Sequence, residues 1–477
     1  MKKIIVSVLT ILILFSCRKE QPTEIQPEEQ KLEAINETTA ENAVIYEVNI
    51  RQYSPEGSFN AFTKDIPQLK ELGVKIIWVM PIFPISQTKR KATGGDDSKF
   101  ASEMPEEEQH KYLGSYYAVS DFKKVNPEFG TIEDFRNLVK TAHENGMYVI
   151  LDWVPNHTGW DHLWIKEHPE FYTQNEKGEI IDPINPETGK SWGWTDVADL
   201  NYGNQDLRAA MTSDMLHWIT NENIDGFRCD VAGNVPTDFW QQTIPQLRKE
   251  KNIFMLAEAW EPELLKDNLF DMCYAWEGHH IMNNIAKGKE SVADWDSYME
   301  KVSKDYEAND ILMNFVDNHD ENSWNGTINS RLGDAREAMI ALSYVTPGMP
   351  LVYSGDEYGL DHSLKFFEKD SIPKTKGKEW DVLAKLGKLK NNRIALAGGK
   401  QKASYKKIET SNPNVLCFER TKETEKLIYI ANMSSEKTIL KVDLGAEYHD
   451  FSDENFKIAE GNNQLELNPW EYHILVK

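Results

Sequence analysis

The chain has 477 residues, with 53 Lys and Arg against 77 Asp and Glu, for a formal net charge of −24. Hydrophobic residues at 40 % and aromatics at 11 % supply a large packed core and exclude a mostly disordered chain. The acidity argues against nucleic acid and against anionic membrane surfaces, because both select patches of Lys and Arg.

The N-terminus reads as a targeting segment. Lys2 and Lys3 precede an apolar run from Ile4 to Phe15 that is too short to span a bilayer. Leu14-Phe15-Ser16-Cys17 closes it and resembles the lipobox of bacterial lipoproteins, with Phe15 where a small residue is commoner. The expectation is a signal peptide over 1–17 and a lipid on Cys17. That lipid would be the chain's only hold on a bacterial cell-envelope membrane, with surface display and a periplasmic location both open. Residues 18–40 are rich in Glu, Gln, Pro and Thr, lack apolar periodicity and read as a flexible tether. Cys229, Cys273 and Cys417 are far apart and lack metal-ligand spacing, so buried free thiols are expected.

From residue 43 short β-rich runs alternate with amphipathic stretches. Ala43–Ile50 predicts a strand, and Ser58–Gly73 carries apolar residues at helical spacing and stops at a glycine. Lys75–Met80 predicts the second strand; Thr131-x-x-Asp134 opens a helix that Gly146 ends; Met147–Trp153 predicts the third strand. Ile224–Asp230, Asn252–Glu258, Asp271–Ala275, Ile311–Asp317 and Met349–Tyr353 continue the series to eight. Alternating β and α units over this length predict a (β/α)8 TIM barrel, class α/β, over residues 41–394. Two connections are long: 84–117, and the Trp-rich insert 154–205. Beyond residue 395 the β-rich segments Val415–Arg420, Lys426–Asn432, Thr438–Val442 and Glu471–Val476 have no helix between them, which predicts a C-terminal antiparallel β-sandwich over 395–477.

Barrel active sites lie at the C-terminal ends of the strands. The third run ends in Asp152-Trp153-Val154-Pro155-Asn156-His157, the fourth in Gly226-Phe227-Arg228-Cys229-Asp230, the fifth at Glu258, and the seventh in Asp317-Asn318-His319-Asp320. Several acids, an Arg and two His therefore converge on one face. Capping of the following helices accounts for one or two such acids, not for four strand ends at once.

These segments resemble, in order, the short regions of the alpha-amylase family of glycoside hydrolases: DWVPNH at 152–157, GFRCD at 226–230, the Glu258 segment, and NHD at 318–320. DLN at 199–201, LGSYYAVSDF within Tyr112–Phe122, and GMPLVYSGDE at 348–357 resemble further regions. The resemblance implies a retaining hydrolase of α-linked glucans. It implies Asp230 as nucleophile, Glu258 as acid and then base, and Asp320 as a hydrogen-bond partner of sugar hydroxyls. Arg228, two residues before Asp230 on the same face, would keep it ionised, and the apolar neighbours of Glu258 would raise its pKa. His157 and His319 would donate to the sugar, Tyr117 would stack on it, and Asp152 would position the third strand end. The family often holds a Ca²⁺. Asn156 and Asp199 match contributors to that site, and Asn234 stands where a His is frequent. The acidic loop Asp96-Asp97 with Glu106-Glu107-Glu108 reads as solvated charge rather than a second cation site. Within the family the choice lies between an alpha-amylase and an enzyme directed at oligosaccharides, which includes cyclodextrin or maltooligosaccharide hydrolases, α-glucosidases and transglycosylases. A non-catalytic glycan-binding lipoprotein is disfavoured because all three carboxylates are present.

Overall fold

The computed structural model describes residues 32–477 apart from 96 and 186. The expected signal peptide with Cys17, the expected tether up to residue 31, and Asp96 of the acidic loop lie outside the described residues. The fold begins inside the stretch expected to be tether. Ile35 and Ala40 are buried, residues Glu37–Glu41 form a short helix, and Asn252 donates to the Ile35 carbonyl. An apolar residue spaced from the next by polar ones, as Ile35 is, leaves no periodic signal.

Eight parallel strands close into a barrel: β1 Val44–Val48, β2 Val74–Val79, β3 Tyr148–Trp153, β4 Gly226–Cys229, β5 Phe254–Ala257, β6 Met272–Tyr274, β7 Ile311–Asn314 and β8 Met349–Tyr353. Each pairs with its neighbours in sequence, and β8 returns to β1 with Ile45 opposite Leu351. Side chains alternate across the wall. Ile45, Trp78, Ile150, Leu256, Tyr274, Met313 and Leu351 pack together inside the barrel, and Tyr46, Ile77, Leu151, Phe227 and Met255 pack under the surrounding helices. The inward parity also selects Glu47, Asp152, Arg228, Asp230 and Glu258. These polar side chains are thus a continuation of the barrel's interior set into the mouth.

Local sequence sets the connecting elements. Thr131 and Asp134 form a reciprocal capping box, the Asp134 N–H donating to Thr131 Oγ1 at 3.2 Å and the Thr131 N–H to Asp134 Oδ2 at 2.8 Å, and the helix Ile132–Glu144 follows. The single helix expected over Ser58–Gly73 is instead an α turn Phe59–Thr63 and a 3₁₀ stretch Ile66–Leu72. Pro67 lacks an amide proton and crowds the residue before it, which breaks the α pattern there.

The insert after β3 carries a small antiparallel pair, His157–Gly159 with Val197–Asp199, in which His157 faces Asp199. Beyond the barrel, a six-stranded and a two-stranded antiparallel sheet enclose a second core of Val415, Ile428, Ile430, Leu440, Val442 and Leu475. Strands Ser404–Lys407, Tyr448–Asp450, Lys457–Ile458 and Gly461–Leu467 belong to it in addition to those read from the sequence. Gly461–Leu467 contains Asn462, Asn463 and Gln464, a polar run whose strand character comes from pairing with Thr438–Leu444. Cys229, Cys273 and Cys417 are buried free thiols. Among the described residues no helix is long and apolar enough to cross a membrane.

Candidate active site

Arg228 stands at the centre of the barrel mouth, fully buried on the inward face of β4. One terminal nitrogen donates to Asp152 Oδ1 and to Asp230 Oδ1, each at 2.9 Å. The other lies 2.9 Å from Glu258 Oε2, an ion-pair contact without aligned hydrogen-bond geometry. Its Nε donates to the Tyr274 hydroxyl at 3.2 Å, and the Trp78 ring lies 4.9 Å from the guanidinium carbon. Three carboxylates from the ends of three strands thus share one fixed positive charge.

Each carboxylate has its own setting. Asp152 is fully buried and accepts from the Trp78 indole N–H (3.1 Å) and the Tyr117 hydroxyl (3.2 Å) as well as from Arg228. Glu258 Oε2 accepts the Val231 backbone N–H at 2.7 Å, and the Glu258 N–H donates to the Cys229 carbonyl. Val231 has φ +45°, a left-handed conformation that β-branched residues rarely adopt. That turn points its amide at Glu258. Asp320 is about a third exposed at the end of the seventh-strand segment, with its Oδ2 3.4 Å from His319 Nε2.

The electrostatics differ from expectation at Asp230. Arg228 does not hold Asp230 low. Burial, and then the charge of Glu258, lift the Asp230 carboxyl well above the usual range, and Arg228 only partly offsets them. A single cation divided among three acids cannot neutralise all of them. Glu258 does not sit in an apolar pocket either. Arg228 and the Val231 amide meet its carboxyl, and Trp260 is 61 % exposed. Asp152 is raised to about 6 by burial, opposed by Arg228.

The two histidines have opposite characters. His157 is buried, which pushes its pKa down to about 3 and keeps the ring neutral. His319 Nδ1 meets Glu47 Oε1 at 2.6 Å, and its Nε2 meets the Tyr117 hydroxyl at 2.8 Å. Burial pulls this ring down, but Asp320 and Glu47 together lift it to about 9, so it is an imidazolium at neutral pH. Glu47, wholly buried, is itself raised by burial against the pull of His319.

A cleft of about 460 Å³ opens above this cluster. Tyr117, His157, Asp230, Glu258, His319 and Asp320 all line it, as the strand ends and, for Tyr117, the family resemblance lead one to expect. Arg228, set beside Asp230 by its position in the strand, and Asp152, at the third strand end, lie beneath the lining and position the residues that form it. Sequence reasoning did not single out Glu47, Lys91, Trp194, Asp196, Trp324, Phe366 or Phe367. Glu47 carried a signal, a lone acid inside the apolar run AVIYEVNI. The others stand on long connections without periodicity. Lys91 is buried, lies 3.3 Å from Asp196 and donates to the Gly193 carbonyl, so it ties the connection after β2 to the insert.

Asn156 and Asp199 come together on the paired strands of the insert, but Asn156 Nδ2 lies 3.2 Å from His157 Nδ1, and Asn234 is exposed on the turn after β4. No group of three or more His, Cys, Asp or Glu that could hold a metal forms among the described residues. Ca²⁺ takes six to eight oxygens, commonly several from carboxylates, so a single Asp with two amides does not by itself fit the ion.

Comparison with known proteins agrees with this geometry. Residues 35–392 match the family described as alpha-amylase, catalytic domain. The chain is similar to alpha-amylase MalA of Haloarcula japonica, 23 % identical over 433 residues, covering 89 % of this chain and 60 % of that protein. It is also similar to a 4-alpha-glucanotransferase of Thermotoga maritima, 25 % identical, covering 64 % of this chain and 68 % of that protein. The crystal structure of a noncanonic maltogenic alpha-amylase from Thermotoga neapolitana superposes with a TM-score of 0.78 at 26 % identity, covering 91 % of this chain and 98 % of that one.

Proposed function

Because the chain belongs to the alpha-amylase family of glycoside hydrolases and related transferases, we propose that it cleaves α-1,4-glucosidic bonds in starch-like α-glucans with retention of configuration. One observation carries this reading: Asp230 and Glu258 are held by the two terminal nitrogens of a single buried guanidinium. Retention needs the two carboxyls on opposite sides of one bond, roughly 5–5.5 Å apart, and a shared guanidinium can hold two carboxyls at that spacing.

The steps follow from the contacts. Asp230 Oδ1 is engaged by Arg228, which leaves Oδ2 to attack the anomeric carbon. Glu258 Oε2 is fixed by Arg228 and the Val231 amide, so Oε1 faces the glycosidic oxygen. Glu258 in its acid form gives its proton to the glycosidic oxygen while Asp230 attacks as the carboxylate. The C–O bond breaks, the leaving sugar departs as the alcohol, and a glycosyl ester forms on Asp230. Glu258, now ionised, takes a proton from water, the hydroxide oxygen attacks the same carbon, and Asp230 leaves as carboxylate. Charge developing on the ring is met by Asp320, while the two His319 N–H groups, engaged by Glu47 and the Tyr117 hydroxyl, hold that tyrosine beside the sugar.

A second reading is transfer to a sugar acceptor. It is favoured by Trp260, two residues past Glu258 and 61 % exposed, on the rim of a larger groove shared with Trp276 and His280. Following products over time on amylose, maltoheptaose and β-cyclodextrin, with Asp230→Asn as control, separates the readings. Mixed oligosaccharides from amylose that vanish in the control support hydrolysis; products longer than the starting maltoheptaose support transfer; no turnover overturns both. Lipid attachment at Cys17 is a separate proposal, tested by metabolic labelling with a fatty acid. Label retained in Cys17→Ser refutes it.

A further inference from the structure

The cleft wall beside Asp320 is built of aromatic rings from three different connections. Trp324 stands on a π turn, Glu321–Asn325, immediately after Asp320 and is 50 % exposed. Phe366 and Phe367 follow β8, and Tyr117 ends the connection after β2. The Tyr117 and Phe366 rings are nearly parallel at 6.4 Å, and Phe366 and Trp324 are 5.2 Å apart. The rings form a row that starts over the carboxylate cluster and leads away from it. Two hydrogen bonds stitch the three connections together: the Leu113 N–H donates to the Phe367 carbonyl at 2.7 Å, and the Leu364 N–H to the Asn322 side-chain Oδ1 at 2.8 Å.

Gly94 completes the wall. A Cβ at that position would lie 2.8 Å from Trp324 Cη2, so only a residue without a side chain lets the backbone rest on the ring. Strands β2 and β7 are not neighbours, because β1 and β8 run between them. The Gly94–Trp324 contact therefore crosses that whole edge of the barrel mouth.

This inference rests on the proposed glycosidase reading, which assigns direction to the cleft. Asp230, Asp320 and Tyr117 surround the sugar whose bond is cut, and Glu258 faces the leaving group. The aromatic row lies with the first set, on the glycone side. We infer that Trp324 is the stacking platform for the second glycone sugar and that the Gly94–Trp324 contact ends the cleft there, so that cleavage releases short, disaccharide-sized units. A Trp face offers the largest apolar surface for the C–H face of a sugar, and its partial exposure leaves that surface available.

The test is a substrate ladder of 4-nitrophenyl α-glucoside, α-maltoside and α-maltotrioside, read as kcat/KM for the wild type, Trp324→Ala and Trp324→Phe. The wild type is expected to gain about tenfold or more from glucoside to maltoside and nothing further on the maltotrioside. Trp324→Ala is expected to lose that gain while its glucoside value stays within about threefold. Trp324→Phe, which keeps a ring, should recover most of it, and circular dichroism of each variant checks the fold. Equal loss on glucoside and maltoside, or a wild-type rate that keeps climbing to the maltotrioside, overturns the inference. If amylose is cut but the ladder is flat, this inference alone falls. If neither amylose nor any nitrophenyl glycoside is cleaved, the glycosidase reading falls and takes this inference with it.

Discussion

His319 is the residue whose surroundings make the sharpest prediction. Its ring is lifted from the usual 6.5 to about 9, because Asp320 and Glu47 outweigh the burial that would lower it. The folded chain binds this proton more tightly than the unfolded chain. The resulting stabilisation is complete below pH 6.5 and is lost as pH rises through about 9. The melting temperature should therefore fall across that window, and Glu47→Gln should flatten the fall and move the alkaline limb of kcat/KM to lower pH. Glu47's own upward shift reflects the cost of burying an anion, and the Gln variant removes that cost too, so the slope of Tm against pH, not its absolute value, is the readout. An unchanged slope and an unchanged alkaline limb would show that Glu47 does not hold the proton on His319. The same residues show what was legible in the sequence. His319 and Asp320 stood out because NHD closes a strand. Glu47 was visible only as an acid in an apolar run, and Trp324 and Phe366 carried no signal because a side chain on a long connection reaches the site only through tertiary packing.

At the level of elements, the eight strands could be read because buried parallel strands are short continuous apolar runs. Their parity then dictated which polar residues enter the mouth. What could not be read was the conformation of the turns. Val231 is the clearest case. Holding a β-branched residue at φ +45° costs about 1–2 kcal/mol, and nothing in the run from Asp230 to Asn234 announces it. Val231→Gly would relieve that strain and lose about 0.5–1 kcal/mol to chain entropy. Stability should therefore stay within about 1 kcal/mol of the wild type. Activity should not stay level. Among the described residues the Val231 N–H is the only backbone donor holding Glu258 Oε2, and a looser turn should lower kcat by about tenfold. Denaturant unfolding beside steady-state kinetics checks the pair of expectations, and a variant as active as the wild type would show that the strained turn does not position Glu258.

For the whole molecule, the question is what joins the β-sandwich to the barrel unit. Arg420 lies on the barrel-facing side of the sandwich strand Val415–Lys422, in line with Leu416 and Phe418, and is fully buried. It makes no ion pair among the described residues and gives its protons to carbonyls instead. It donates to Val345 at the C-terminal turn of the helix Arg336–Val345, to Ala397 (2.8 Å) and Ala403 (3.4 Å), and to Ser404 (3.1 Å). A cation at a helix C-terminus meets the negative end of the helix dipole, which offsets part of its desolvation. The Tyr429 hydroxyl adds a bond to the Ala338 carbonyl on the same helix at 2.8 Å. Truncating Arg420 would strand several buried carbonyls at once and open a cavity, for a loss of about 3–5 kcal/mol. Lys carries one compact ammonium in place of the planar fork, so Arg420→Lys should recover only part of that loss. In calorimetry the wild type should unfold in one transition, and Arg420→Ala should show a separate earlier transition for the sandwich strands. Arg420 does not line the catalytic cleft, so turnover at low temperature should persist in the variant while its half-life on heating shortens. A variant that melts as a single transition within a degree or two of the wild type would mean that the apolar contacts around Phe418 and Tyr429 hold the two parts together without it.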